Sequence, residues 1–351
     1  MKGIRKFALA SAALLVASLS VGSISALAQF AGPTPLTLIN GWNNAPFGTS
    51  IATVEEVAGI VQLRGAIATS GASAEPFVLP PSFRPAGNVY VPIDLCNATK
   101  GRLFIQPSGV VIVQAEGGVF SNAQCFTSLD GASFVLNSAG PSLLTLINGW
   151  TNGPFGTSKA AARNTAGIVH LRGAIATSGT NAEPFVLPAA FRPATDVYVP
   201  VDLCNATNGR LFIQASGAVT VQAQGGVFSN AQCFTSLDGA WFVAQDAGFK
   251  ALTLINGWKG GPFSTHTPEA GNAYGIVYFH GAIASGTNAA PFVLPPSLTP
   301  VTNVYIPVDL CNATNGRLII QSSGAVTIQA EGGTFTNAQC FTSLDGVSFV
   351  Q

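Results

Sequence analysis

The sequence predicts an all-β protein built as three tandem antiparallel modules, sandwich-like or jelly-roll-like, with one disulfide in each. Three observations carry that expectation. The first is repetition: the segment 36–136 aligns without a gap on 144–244 with 78 of 101 positions identical, and a third copy runs from Leu252 to the end. Trp42, Trp150 and Trp258 repeat every 108 residues, whereas Cys96, Cys204 and Cys311 step by 108 and then 107. A unit of about 100 residues is a whole domain in size and too long for a solenoid repeat. The second is pattern, since short β-type runs separated by Gly, Pro and Asn fill each unit and no stretch sustains a helical period. The third is the cysteines, all six of which fall in pairs 29 residues apart.

Taken in order, residues 1–28 read as a targeting segment. Lys2, Arg5 and Lys6 precede an apolar run from Ala8 to Val21, and Ala26-Leu27-Ala28 supplies small residues for cleavage. Modules are expected over 34–137, 143–245 and 250–351. In the first, the strand-like runs are Leu36 to Ile39, Gly59 to Ala68, Phe77 to Leu79, Val89 to Leu95, Arg102 to Gln106, Val110 to Gln114 and Phe126 to Val135. Seven strands per hundred residues is sandwich spacing. Gln106-Pro107-Ser108-Gly109 reads as a hairpin turn, with Gly109 placed for a positive φ, and Asp130-Gly131 as a second turn. An exported chain with an even cysteine count implies disulfides Cys96–Cys125, Cys204–Cys233 and Cys311–Cys340, each worth roughly 3 kcal/mol on the chain-entropy model.

Composition narrows the function classes. Without Lys2, Arg5 and Lys6 the chain carries 12 Lys+Arg against 15 Asp+Glu, a formal net of −3. No basic face for nucleic acid is expected from that balance. No run of about 18 apolar residues follows the leader, so no membrane span is expected. Charged residues make up 9% of the chain, so the modules either expose Asn, Ser and Thr or bury surface against one another.

Catalysis by a repeated domain should leave its acid, base or nucleophile in every active copy. The histidines fail that criterion: His170 aligns with Gln62 and Tyr278, His280 with Arg64 and Arg172, and His266 lies in a divergent loop. Shared carboxylates are Asp94, Asp202 and Asp309, and the turn residues Asp130, Asp238 and Asp345. A hydrolase pair could use two such groups, but Asp-Gly is first a turn dipeptide whose side chain bonds its own backbone. Asn97-Ala98-Thr99 and its two counterparts are sequons that also read as plain turns at a strand end. No ligand set for a metal or cofactor is visible, and none is expected. Trp42, Trp150 and Trp258 each follow Asn-Gly, with Asn40, Asn148 and Asn256 two residues earlier. Trp beside Asn on a polar loop is the composition of a sugar-stacking site; the alternative is a Trp that plugs the core.

The motifs Leu-x-Asn-Gly-Trp at Leu38 to Trp42, Val-x-Leu-Arg-Gly-Ala-Ile at Val61 to Ile67, Leu-Pro-x-x-Phe-Arg-Pro at Leu79 to Pro85 and Ser-Leu-Asp-Gly-x-Ser-Phe at Ser128 to Phe134 resemble a β module at the C-terminal ends of phage tail-fibre and baseplate receptor-binding proteins, also found in exported bacterial repeat proteins. The third copy departs, with His280 for the Arg and Leu298-Thr299-Pro300 for Phe-Arg-Pro. The resemblance implies a non-catalytic recognition domain that works as a trimer in fibres. The function expected is therefore secreted, extracellular recognition of a surface glycan or cell-surface receptor through three weak sites. The alternatives are a structural or coat protein of self-packing modules, a homo-oligomer among them, and a glycan hydrolase with one active module. Three copies on one chain could fold back into a pseudo-trimer or string out as a rod, and the self-contained look of each module favours the rod.

Overall fold

The computed structural model describes residues 32–136, 139–245 and 248–351; the leader expected at 1–28 lies outside them. The first module is made of β1 (Thr34–Pro35), β2 (Trp42–Asn44), β3 (Thr53–Val57), β4 (Ile60–Arg64), β5 (Ala66–Thr69), β6 (Val89–Asp94), β7 (Lys100–Ile105), β8 (Val111–Ala115), the short helix α1 (Phe120–Cys125), β9 (Thr127–Ser128) and β10 (Ser133–Val135). They form three small antiparallel sheets, ordered β1-β3-β4-β10, β2-β5-β9 and β6-β7-β8. The other modules repeat this arrangement, and the second adds an edge strand at Phe185–Val186. The fold is all-β, as expected.

Burial follows the pleat. In β8 the pattern is strictly alternating, with Val111, Val113 and Ala115 inward. The run expected at Gly59 to Ala68 is two strands broken at Gly65. That glycine takes φ +92°, and a Cβ there would stand 2.4 Å from the Ile51 carbonyl oxygen. Leu36 to Ile39 is not a strand, although Leu36 is buried, and Phe77 to Leu79 is reduced to one bridge, Val78 with Val110. Phe126 to Val135 splits into β9 and β10 around the Asp-Gly turn. Each module has its own core, drawn in the first from residues such as Trp42, Leu63, Ile67, Phe77, Leu103 and Phe134. Each also holds its own disulfide, Cys96–Cys125, Cys204–Cys233 and Cys311–Cys340, with Cα atoms 5.6 to 5.7 Å apart.

Modules are not strung as a rod. Residues 32–351 form one compact unit in which β6 and its counterparts Val197–Asp202 and Val304–Asp309 each touch the other two. Several contacts between modules recur three times and close in a ring. Ser236 Oγ donates to the Tyr90 carbonyl, Ser343 to Tyr198 and Ser128 to Tyr305, each at 2.6 Å. Arg102 pairs with Asp202 at 2.8 Å, Arg210 with Asp309 at 2.9 Å and Arg317 with Asp94 at 3.0 Å. The backbone N–H groups of Asn88, Asp196 and Asn303 donate to Gly156, Ser264 and Gly48. The chain is an intrachain pseudo-trimer. Sparse charge thus reflects burial between modules, because a fourth apolar cluster (Val57, Ile168, Trp241, Val243, Ile276, Tyr278, Val350) draws on all three.

Candidate functional site

Trp42, Trp150 and Trp258 each retain 5% exposure and belong to the three cores. Their indole N–H groups donate to the carbonyls of Ser73, Asn181 and Asn288 at 2.9 to 3.0 Å, and their rings meet Phe120, Phe228 and Phe335 edge-on. No indole face is left for a sugar. Asn40, Asn148 and Asn256 spend their amides on the carbonyls of Glu75, Glu183 and Ala290 and sit at φ 53° to 55°, so they serve the turn. The stacking site expected at these six residues is corrected: packing explains the Trp and loop geometry the Asn.

The shared carboxylates are accounted for in the same way. Asp94, Asp202 and Asp309 are fully buried ring members. Asp130 does not bond its own turn; its Oδ1 accepts the Gly65 N–H at 2.8 Å, as Asp238 accepts that of Gly173 at 3.0 Å. Burial pushes the carboxyls of Asp94, Asp130, Asp238 and Asp309 up to about 7. His170 lies buried beside Trp241 and Tyr278, and burial lowers its pKa to about 3. His280 Nδ1 stands 2.8 Å from Asp345 Oδ1 and its ring stacks on His266. Among the described residues no group of three His, Cys, Asp or Glu is placed to hold a metal ion.

What the fold does create lies between modules. At the first seam Tyr90 and Arg102 of module one meet Phe155, Cys204, Asn205 and Phe234 of module two around a cavity of about 140 Å³. The second seam repeats it with Tyr198, Arg210, Phe263, Cys311, Asn312 and Phe341, again about 140 Å³. At the third seam, Phe126 meets Phe47 at 5.7 Å and Tyr305 at 4.9 Å, and Arg317 covers the Tyr305 ring. A wider depression of about 370 Å³ adjoins the first cavity and shares Arg102 and Asn205 with it. Local sequence builds the wall. Asn97, Asn205 and Asn312, at φ 58°, follow one cysteine of each disulfide, and Phe126, Phe234 and Phe341 follow the other.

Phe47, Phe155 and Phe263 stand out. All three are 62% exposed, and all three hold a left-handed φ of 53° to 55°. A bulky residue in that region costs about 1–3 kcal/mol. Neither core packing nor backbone preference accounts for a strained, exposed phenyl ring kept in triplicate. The sequence contains these residues in plain sight, at the end of the Trp loop, but their meaning depends on a neighbour more than 60 positions away. No family model, curated protein or solved structure matches the chain.

Proposed function

We propose that the chain is a secreted, non-catalytic recognition protein whose three inter-module clefts bind rings of a surface glycan, in the manner implied by its likeness to trimeric receptor-binding modules. The observation that carries this reading is the exposed, left-handed phenyl of Phe47, Phe155 and Phe263 at each seam. An exposed ring supplies a platform for the apolar face of a pyranose, and the neighbouring Asn and Arg supply hydrogen bonds to its edge. The clefts at the first and second seams hold a single ring at most, so each site is weak, and three sites on one rigid body raise the effective concentration for a repeating polymer. Three disulfides suit the oxidising surroundings of an exported protein.

A glycan array tests the reading. The triple variant Phe47→Ala, Phe155→Ala, Phe263→Ala is expected to lose array binding while its unfolding transition stays within a few degrees of the parent. Trp42→Ala is expected to do the reverse, destabilising the fold by roughly 3–5 kcal/mol as a truncated core aromatic does. Array binding that survives the triple variant removes the clefts as the site.

A further inference from the structure

The three seams share a plan but not a chemistry. Resting on the reading of the clefts as saccharide sites, we infer that those at Arg102 and Arg210 take the carboxylate of an acidic sugar, and that the one at Arg317 does not.

The guanidinium carries five N–H donors. Arg102 uses Nε on Gln114 Oε1 at 2.6 Å, and Nη1 on Asp202 Oδ2 at 2.8 Å and the Leu203 carbonyl at 3.3 Å. Arg210 does likewise with Gln222, Asp309 and Leu310. In both, Nη2 has no partner among the described residues, and both guanidinium groups border a cavity. Arg317 differs: Gln329 Oε1 takes Nη2 at 2.7 Å as well as Nε at 3.0 Å, and Nη1 goes to Asp94. Gln329 therefore leaves Arg317 a single spare Nη2 N–H, where Arg102 and Arg210 each keep two.

A sequence difference accompanies the change. Phe104 stacks on Tyr90 and Phe212 on Tyr198, each with ring centroids 4.7 Å apart. The equivalent residue in the third module is Ile319, which offers no plane to the tyrosine. Arg102 and Arg210 stand 4.8 and 4.7 Å from their tyrosine rings, and Arg317 stands 5.2 Å from Tyr305.

Charge runs the same way. At the first seam Glu116 is faced by Lys100, whose Nζ bonds Asp202 Oδ1 at 2.8 Å. At the second seam the residue equivalent to Glu116 is the neutral Gln224. At the third, Asp94 pairs with Arg317 while the charge of Glu331 acts on Asp94, and Glu331 must share Lys100 with Glu116. The third seam therefore carries a carboxyl beside its arginine–aspartate pair that the second seam lacks, and the negative charge there disfavours a further anion. A carboxylate at either of the other clefts gains a charge-assisted hydrogen bond from Nη2, beside Phe155 or Phe263 for the sugar ring. Arg102 shares its guanidinium with Asp202, so the gain is that bond and not net attraction, and single-site affinity is weak.

Calorimetric titration of the full chain with a galacturonate trisaccharide, its methyl ester and a galactose trisaccharide tests the inference. The expected result is two acid sites per chain, with the ester weaker by about tenfold, the worth of one charge-assisted hydrogen bond. Phe155→Ala and Phe263→Ala should each reduce two sites to one. Ile319→Phe with Glu331→Gln, which installs the residue types of Phe212 and Gln224, should raise two sites to three. Three equal sites in the parent, equal binding of acid and ester, or no binding of the acid overturns the inference. If the neutral trisaccharide binds while the acid shows no advantage, the inference falls and the clefts remain saccharide sites; if neither binds, both readings fall together.

Discussion

Some of the residues that differ between copies lie where the copies meet. Gln62, His170 and Tyr278 occupy one equivalent position and Ser133, Trp241 and Ser348 another, and all six are buried. Trp241 meets Tyr278 edge-on at 4.8 Å, and the two serines leave room that three tryptophans could not share. Lys100 answers Asn208 and Asn315 in the same way: the asparagines donate to backbone carbonyls of the next module, and the lysine donates to Asp202. Buried carboxyls predict a pH dependence. Asp130 and Asp238 have folded pKa values of about 7 against 3.8 when free, so the folded state holds their protons more tightly. Their contribution is fully present below about pH 4 and is lost as pH rises through 7. Asp94, Asp309 and Glu331 act in the same direction, and His170, lowered from 6.5 to about 3, opposes them by losing its contribution as pH falls. The melting temperature should therefore be higher at pH 5 than at pH 8. Asp130→Asn, which keeps an acceptor for the Gly65 N–H, should show a shallower slope than the parent; an unchanged slope removes Asp130 from the account.

At the scale of elements, the disulfide joins the segment Cys96–Ala98 to the end of α1, and these two pieces carry the Asn and Phe of the cleft wall. A six-residue helix has no stability of its own in water. Its position depends on the bond and on packing against β5 and β8. Replacing Cys204 and Cys233 by Ala should cost about 3 kcal/mol, as for any loop of this length. It should also weaken ligand binding at the first seam more than at the second, read by calorimetry on the full chain. Equal loss at both seams would mean that the bond stabilises the whole body without shaping the cleft. The Asp-Gly turn shows a second element with two duties. Gly131 takes φ +79°, as the turn requires, and a Cβ there would also approach Ile306 Cγ2 of the third module to 2.9 Å.

For the whole molecule, the rings of serine, arginine and backbone contacts make three modules into one body. Breaking any single member leaves a buried partner uncompensated, which for an ion pair costs about 3–5 kcal/mol. A closed body of about 320 residues should scatter with a radius of gyration near 20 Å by the compact-domain scaling. A markedly larger radius with an elongated profile would restore the rod.

The sequence by itself determined the all-β class, the three modules, the turns at Gly109 and Gly131 and the disulfide pairing, because each of these depends on local residue chemistry or on spacing within one copy. It also contained the cue to the Trp, since a loop Trp after Asn-Gly reads either as a platform or as a plug. Burial decides between those readings, and burial is a property of the finished core. Strands β2 and β3 and helix α1 were illegible for a related reason: Asn-Gly-Trp looks like turn, Thr53–Val57 includes two glutamates, and six residues are too few to show a period. Only the tertiary structure decided that the modules close on one another and that the clefts lie on their seams. Tyr90, Arg102 and Asn205 belong to different copies of the repeat, and a pattern that describes one copy at a time holds no information about which face meets the next.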